Sequence, residues 1–222
     1  MSVVISEHMK FMMENFSEDK IIPERVDHYK LWKDYSEKDP SAICGGGTNL
    51  SRADATALNA RLYTQMGALN YLTPWGKVLD IGAGYGSLRY LLSPYHEYVP
   101  IDVYPHIPES TLVIGDGTLP FEDKSFDFVY CSNVMQHLHD SVKFKYIEEI
   151  YRVLSDNGKV FLSFSVHSRR DSDLNYAITD DYFIPLIKTE TVDEVMQKSN
   201  LCIIMKTFRR DGYTSWWAMR ND

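Results

Sequence analysis

The chain has 222 residues, 44% of them hydrophobic and 24% charged, with a formal charge of −8 and a pI near 5.4. That length suits one domain with additions and buries a full core. The acidic balance argues against a broad nucleic-acid-binding surface, and no apolar run approaches membrane-spanning length.

Residues 1–50 are read as an N-terminal helical extension or lid. His28, Tyr29, Trp32 and Tyr35 fall at roughly helical spacing within it. Such a stripe packs on the main domain or covers a bound substrate. No secretory leader pattern is present at the start. Gly45-Gly46-Gly47 is a flexible break. The main domain is expected over 51–222. It opens with Ser51 as a helix N-cap and Asp54 at the capping-box position. Leu58, Leu62, Met66, Leu69 and Leu72 then continue at helical spacing until Thr73-Pro74.

From residue 77 strands and helices alternate. Strands are expected near 77–81, 97–102, 111–115, 126–131, 158–166 and 213–220, with a further apolar run over 201–205. Helices are expected near 86–94, 141–155 and 191–199, the second ended by the turn residues Asp156-Asn157-Gly158. His139-Asp140 opens that helix, with Asp140 as its cap. This alternation predicts an α/β fold with a mostly parallel sheet and helices on both faces. The short link 209–212 allows only an antiparallel last pair. Only about eight residues, Val103 to Ser110, join the second and third strands, too few for a full helical crossover. One side of the crevice is therefore expected to be open.

Cys44, Cys131 and Cys202 show no metal or redox spacing. Cys131 and Cys202 sit in apolar runs and are expected to be buried thiols, consistent with a reducing cytoplasm.

The run Val78-Leu79-Asp80-Ile81-Gly82-Ala83-Gly84-Tyr85-Gly86-Ser87 reads as strand, glycine turn and helix start. That is how an open α/β sheet builds a cofactor crevice. The spacing G-x-G-x-G differs from the dinucleotide G-x-G-x-x-G, which counts against a nicotinamide oxidoreductase. The strand-end carboxylate of Asp80 repels a pyrophosphate and favours a cofactor carrying positive charge. Asp102, 22 residues after Asp80 at the end of the next apolar run, is placed to accept hydrogen bonds from a ribose.

Here the chain resembles the class I S-adenosylmethionine-dependent methyltransferases, in a type 11-like branch that acts on small molecules. The motifs are VLDIGAGYG (78–86), YVPIDVYP, GDGTLPFEDKSFDFVYCSNVMQHL (115–138) and EEIYRVLSDNGKVFLSF (148–164), in family order over roughly Trp75 to Asp222. The resemblance implies a Rossmann-like seven-stranded sheet, mostly parallel with an antiparallel last strand, and S-adenosylmethionine as cofactor. It implies that Asp80 lies near the cofactor ammonium. Gly82, Ala83, Gly84 and Gly86 admit the methionine part, Asp102 holds the ribose, and Val103 lies beside the adenine. Asp116, with Gly117 and Thr118, meets the adenine, and Ser132, Asn133 and Val134 run along the methionine and the transfer channel. His137 and His167 are the catalytic candidates, as a base or as substrate and cofactor contacts. Arg169 and Arg170 are candidates for binding an anionic acceptor or for a solvated loop.

The implied partner is a small polar methyl acceptor, a sugar or biosynthetic intermediate, methylated at oxygen or nitrogen. No nucleic acid, membrane or metal is expected, and the chain is read as a monomer or homodimer. The rival readings are a protein or RNA methyltransferase and a non-catalytic cofactor-binding module. The absence of an Asn/Asp-Pro-Pro motif after the fourth strand weighs against methylation of bases or glutamine; Ser132-Asn133-Val134-Met135 stands there.

Overall fold

The computed structural model describes residues 27–38, 51–166, 176–178, 183–185, 187–208 and 213–221. In chain order the elements are α1 (His28–Lys38), α2 (Arg52–Gln65), β1 (Gly76–Ile81), a 3₁₀ turn (Ser87–Leu91), β2 (His96–Asp102), β3 (Thr111–Leu112), β4 (Phe126–Ser132) and a 3₁₀ turn (Met135–His137). They continue as α3 (Asp140–Val153), β5 (Leu154–Ser165), β6 (Tyr176–Ile178), β7 (Phe183–Pro185), α4 (Thr189–Lys198), β8 (Leu201–Phe208) and β9 (Tyr213–Arg220).

Seven strands form one sheet in the order β3-β2-β1-β4-β5-β9-β8. The pairs from β3 through β5 are parallel, and β9 runs antiparallel to both neighbours. This is the expected mostly parallel Rossmann-like sheet. Strands β6 and β7, absent from the sequence reading, pair separately as a small hairpin.

Alternation along β1, β4 and β5 divides the core between two faces. Val78, Phe128, Tyr130, Phe161 and Trp217 meet Tyr63 and Met66 at the end of α2 and Leu88 of the first 3₁₀ turn. Leu79, Ile81, Val129, Cys131, Val160 and Leu162 meet Tyr146, Ile147, Ile150 and Val153 of α3, and Val192 and Met196 of α4. Full burial of such side chains is worth about 1.5–3 kcal/mol each. Two of them also bring polar tips that find partners. Tyr130 Oη donates to Ala68 O at 2.9 Å, and Trp217 Nε1 donates to Gly67 O at 2.7 Å. These bonds pin the turn after α2 onto the sheet.

Ser51 caps α2 as expected, accepting from Asp54 N at 3.2 Å. Helix α2 stops at Gln65, earlier than the leucine spacing suggests, because Gly67 turns the chain at φ +81°. The helix expected near 86–94 is only the five-residue 3₁₀ turn. His139, not Asp140, is the N-cap of α3, its Nδ1 accepting from Ser141 N. Helix α3 ends at Val153, and β5 begins at Leu154. Asp156-Asn157-Gly158 therefore forms a bulge inside β5, between the pairings Phe126 with Leu154 and Phe128 with Lys159. Any side chain at Gly158 would come within 2.9 Å of the Ser155 backbone, so the tight turn there needs glycine. Cys131 is buried, but Cys202 lies on the exposed side of β8, a correction to the expectation of two buried thiols.

Candidate functional site

The glycine turn leaves β1 with three left-handed residues, Gly82 (φ +70°), Gly84 (+52°) and Gly86 (+70°). The carbonyl of Ile101 on β2 accepts from both Gly82 N (2.9 Å) and Ala83 N (3.0 Å). A Cβ on Gly82 would lie 2.2 Å from Val134 Cγ2. Gly82→Ala thus combines a left-handed backbone with a hard contact. We expect it to cost about 2–4 kcal/mol of stability and to abolish cofactor binding, read by thermal melts and calorimetric titration.

Asp102 ends β2 beside this turn. Its Oδ2 accepts from Gly84 N at 2.8 Å and its Oδ1 from Val103 N at 2.7 Å. Burial pushes its pKa up to about 6, against the pull of these backbone donors. Each oxygen keeps lone-pair capacity for a further donor.

Asp80 is fully buried and lies outside the cavity wall. Tyr98 Oη donates to its Oδ2 at 2.7 Å, while Oδ1 has no partner among the described residues. Burial first, then the nearby charge of Asp102, pushes its pKa up to about 7, opposed by the Tyr98 hydrogen bond.

At the end of β4, Asn133 adopts the left-handed conformation at φ +60°. It is anchored by Asn133 N donating to Ser163 O at 2.7 Å. Asparagine tolerates that region better than other side chains. Three polar atoms in this short segment are buried without hydrogen-bond partners among the described residues: Asn133 Oδ1, Gln136 Oε1 and His137 Nδ1. Orphaned polar atoms are rare in native interiors and here flank one cavity.

That cavity opens at the carboxyl ends of β1, β2 and β4 and holds about 590 Å³, mouth included. Of the sequence-predicted residues, Gly82, Gly84, Asp102, Val103, Asn133, Val134 and His137 line it together. Ala83, Gly86 and Ser132 are buried beside these residues and do not line it. Asp116 does not face the cavity: its exposed carboxylate accepts from Thr118 N (2.9 Å) and Thr118 Oγ1 (2.5 Å). These bonds, with Lys145 at 3.5 Å, hold its pKa below the ordinary value. Gly117 packs on Lys145, and Gly115 lines the cavity in their place. His167, Arg169 and Arg170 lie outside the described residues.

The wall also contains residues that sequence reasoning did not assign to it: His106, Val113, Gly115, Leu138 and Tyr146. His106 lies in the short crossover. Its ring meets those of Tyr104 (centres 4.9 Å apart) and Tyr85 (5.6 Å), and burial lowers its pKa to about 4. His106 thus lines the cavity on the side of the short crossover. The missing helix was the available signal, since residues freed from a crossover fold toward the crevice. His28 and Trp32 of α1 close the cavity from above. His137 sits under Trp32; burial lowers its pKa to about 4, with smaller contributions from His28 and Lys143.

Arg152 explains the "R-x-L" segment structurally. It donates to Leu119 O (2.9 Å) and Phe121 O (2.7 Å) and pairs with Glu149 and Asp123. The loop that follows Gly115 is thereby fastened to α3. Among the described residues no cluster of side chains has the makings of a metal site, and no helix is long and apolar enough to cross a membrane.

Residues 79–162 match the family model described as a methyltransferase domain, and this stretch contains every cavity residue except His28 and Trp32. Over that stretch the chain resembles the class I S-adenosylmethionine-dependent methyltransferases, as its motifs do. It is 33% identical over 101 residues to the uncharacterized methyltransferase YcgJ of Bacillus subtilis, covering 39% of each chain. The matched stretches span 22–47% of the length of its curated relatives, so less than half of any of them. Two solved structures share the fold. One is the [4+2]-cyclase SpnF (TM-score 0.67, 15% identity, 91% of this chain and 99% of that one). The other is the 1,6-didemethyltoxoflavin-N1-methyltransferase of Burkholderia thailandensis with its substrate and S-adenosylhomocysteine (TM-score 0.60, 16% identity, 90% and 93%).

S-adenosylmethionine is the cofactor of this methyltransferase family. The residues present fit it. The glycine cradle leaves the space a Cβ would fill, and Asp102 offers acceptor oxygens for a diol. Val103, Val113 and Leu138 provide an apolar slot for a flat base. The carboxylate of Asp80 behind the turn suits a cationic group.

Proposed function

We propose that this methyltransferase transfers a methyl group to a small polar acceptor, at nitrogen or oxygen, a sugar or biosynthetic intermediate being the class favoured by its motifs. The observation that carries the reading is the continuity of one open-mouthed cavity from the glycine turn and Asp102 to Asn133 and His137. When bound, the cofactor supplies an activated methyl on a positive sulfur. The protein's own task is then to align the acceptor and exclude water, which can be worth roughly 7–11 kcal/mol of barrier.

A roof of Trp32 and His28 over the cavity suits a small acceptor better than a protein or RNA chain. With its pKa near 4, His137 is neutral at physiological pH. It is a weak general base but a good hydrogen-bond acceptor for an N–H or O–H of the substrate. That favours an amine, which reaches the methyl through its own lone pair. Relatives named as N-methyltransferases, including the glycine/sarcosine/dimethylglycine enzyme of Actinopolyspora halophila, point the same way.

The similarity to a cyclase keeps a non-methylating use of this fold in view. Calorimetry with S-adenosylmethionine and S-adenosylhomocysteine, followed by a radiolabelled methyl-transfer screen over small amines and hydroxy compounds, tests the reading. Absence of binding at millimolar cofactor overturns it; binding without transfer to any acceptor favours the module or cyclase reading. With an acceptor in hand, His137→Ala should lower kcat about tenfold or more while S-adenosylhomocysteine affinity is largely kept. A smaller loss assigns the ring to packing.

A further inference from the structure

Helix α1 meets the site through two side chains, His28 and Trp32, both in the cavity wall. The Trp32 indole stands edge-to-face against the His137 imidazole, with ring centres 4.9 Å apart and planes at 85°. His137 belongs to a three-residue 3₁₀ turn, held at the backbone by His137 N donating to Val134 O at 2.9 Å. Its side-chain Nδ1, by contrast, is buried without a hydrogen-bond partner among the described residues. A ring left without that bond has a broad, roughly two-fold terminal torsion and takes its orientation from its neighbours. The neighbouring ring is Trp32.

We propose that Trp32 is a positioning residue for His137, orienting the imidazole toward the acceptor and shielding it from water by packing rather than by hydrogen bonding. The role in transfer rests on the methyltransferase reading above; the contact and its consequence for the ring do not. The charged groups facing His137 are His28 on α1 and Lys143 on α3, the latter paired with Asp140 at 2.7 Å. Both are cationic when protonated and oppose a proton on His137, and Asp102 and Tyr146 share the same cavity wall. Trp32 therefore covers one side of the half-buried ring and favours its neutral form, which leaves a nitrogen lone pair for a donor-bearing acceptor. The specificity that follows is for molecules presenting an N–H or O–H at the reacting end.

The test is an NMR titration of the histidine ring signals of the full chain from pH 5 to 8, without cofactor or acceptor. His137→Ala identifies the His137 resonances. In the parent protein His137 is expected to stay neutral across this range, since burial lowers its pKa to about 4. Trp32→Ala admits water and is expected to raise that midpoint by more than about one pH unit, into the observed window. Trp32→Phe restores an aromatic edge and is expected to leave the midpoint within about half a unit of the parent. An unchanged His137 in Trp32→Ala overturns the proposal, and so does a shift in Trp32→Phe as large as that in Trp32→Ala. If the cofactor fails to bind, the functional reading falls while this titration still decides the Trp32 contact.

Discussion

Replacing Asp80 with asparagine is expected to make the protein more stable above neutral pH and worse at binding its cofactor. The carboxyl is fully buried, has one oxygen without a partner, and its pKa is pushed up to about 7. A carboxyl whose folded pKa lies above its unfolded value near 4 binds protons more tightly when folded. Its penalty is absent at low pH, grows as pH rises from about 4 to 7, and is complete above 7. Three units correspond to about 4 kcal/mol. An asparagine amide left partly unpaired at this site gives back about 1–3 kcal/mol. The net gain above neutrality is thus about 1–3 kcal/mol, a rise of several degrees in Tm for a chain of this size. At pH 5 the gain should vanish or reverse, because Asp80 is then protonated. Melting curves of both proteins at pH 5 and pH 8 check this, and a Tm difference independent of pH defeats it. Titration with S-adenosylmethionine at pH 8 should show at least about tenfold weaker binding if the carboxylate faces the cofactor ammonium. Opposite signs for stability and binding are what a strained functional carboxylate produces.

Asp102→Ala is expected to have the largest effect on cofactor affinity. The carboxylate tethers Gly84 N and Val103 N, and so holds the glycine turn against the end of β2. It also offers the acceptors for a ribose diol. Losing two hydrogen bonds to a charged group, at about 1.5–3 kcal/mol each, predicts a Kd for S-adenosylhomocysteine raised at least ~100-fold. Asp102→Asn keeps the shape and one acceptor and should lie between the two. Calorimetry on all three proteins decides; an Asp102→Ala affinity within threefold of the parent would falsify the placement of the ribose at this strand end.

Much of the sheet was legible because its strands are short apolar runs punctuated by Gly, Pro and Asp, and because the 209–212 link is too short for a parallel crossover. The elements misjudged are those where local pattern and packing disagree. Asp156-Asn157-Gly158 has turn chemistry, but α3 had already ended when Leu154 paired with Phe126. The turn became a bulge. The stretch 86–94 has no apolar stripe long enough to hold a full helix, and only Leu88 of it is locked into the core. At the cavity, Gly82, Gly84 and Asp102 were readable since they lie at fixed offsets within one strand-turn-strand unit, whereas Asp80 of the same unit lies outside the cavity wall. Asp116 was assigned by motif resemblance, but its exposed carboxylate is held by Thr118 and Lys145.

By itself the sequence determined the α/β sheet, the glycine turn at its centre, and a cofactor pocket built around Asp102, because these depend on contacts between near neighbours and on backbone conformations that only certain residues adopt. The tertiary structure alone decided what closes that pocket. His28 and Trp32 come from a helix about fifty residues before the glycine turn, and His106 comes from a loop with no periodicity. The stripe at 28–35 left packing and covering both open; which rings Trp32 and His106 meet, His137 and Tyr85, is decided by contacts between segments far apart in the chain.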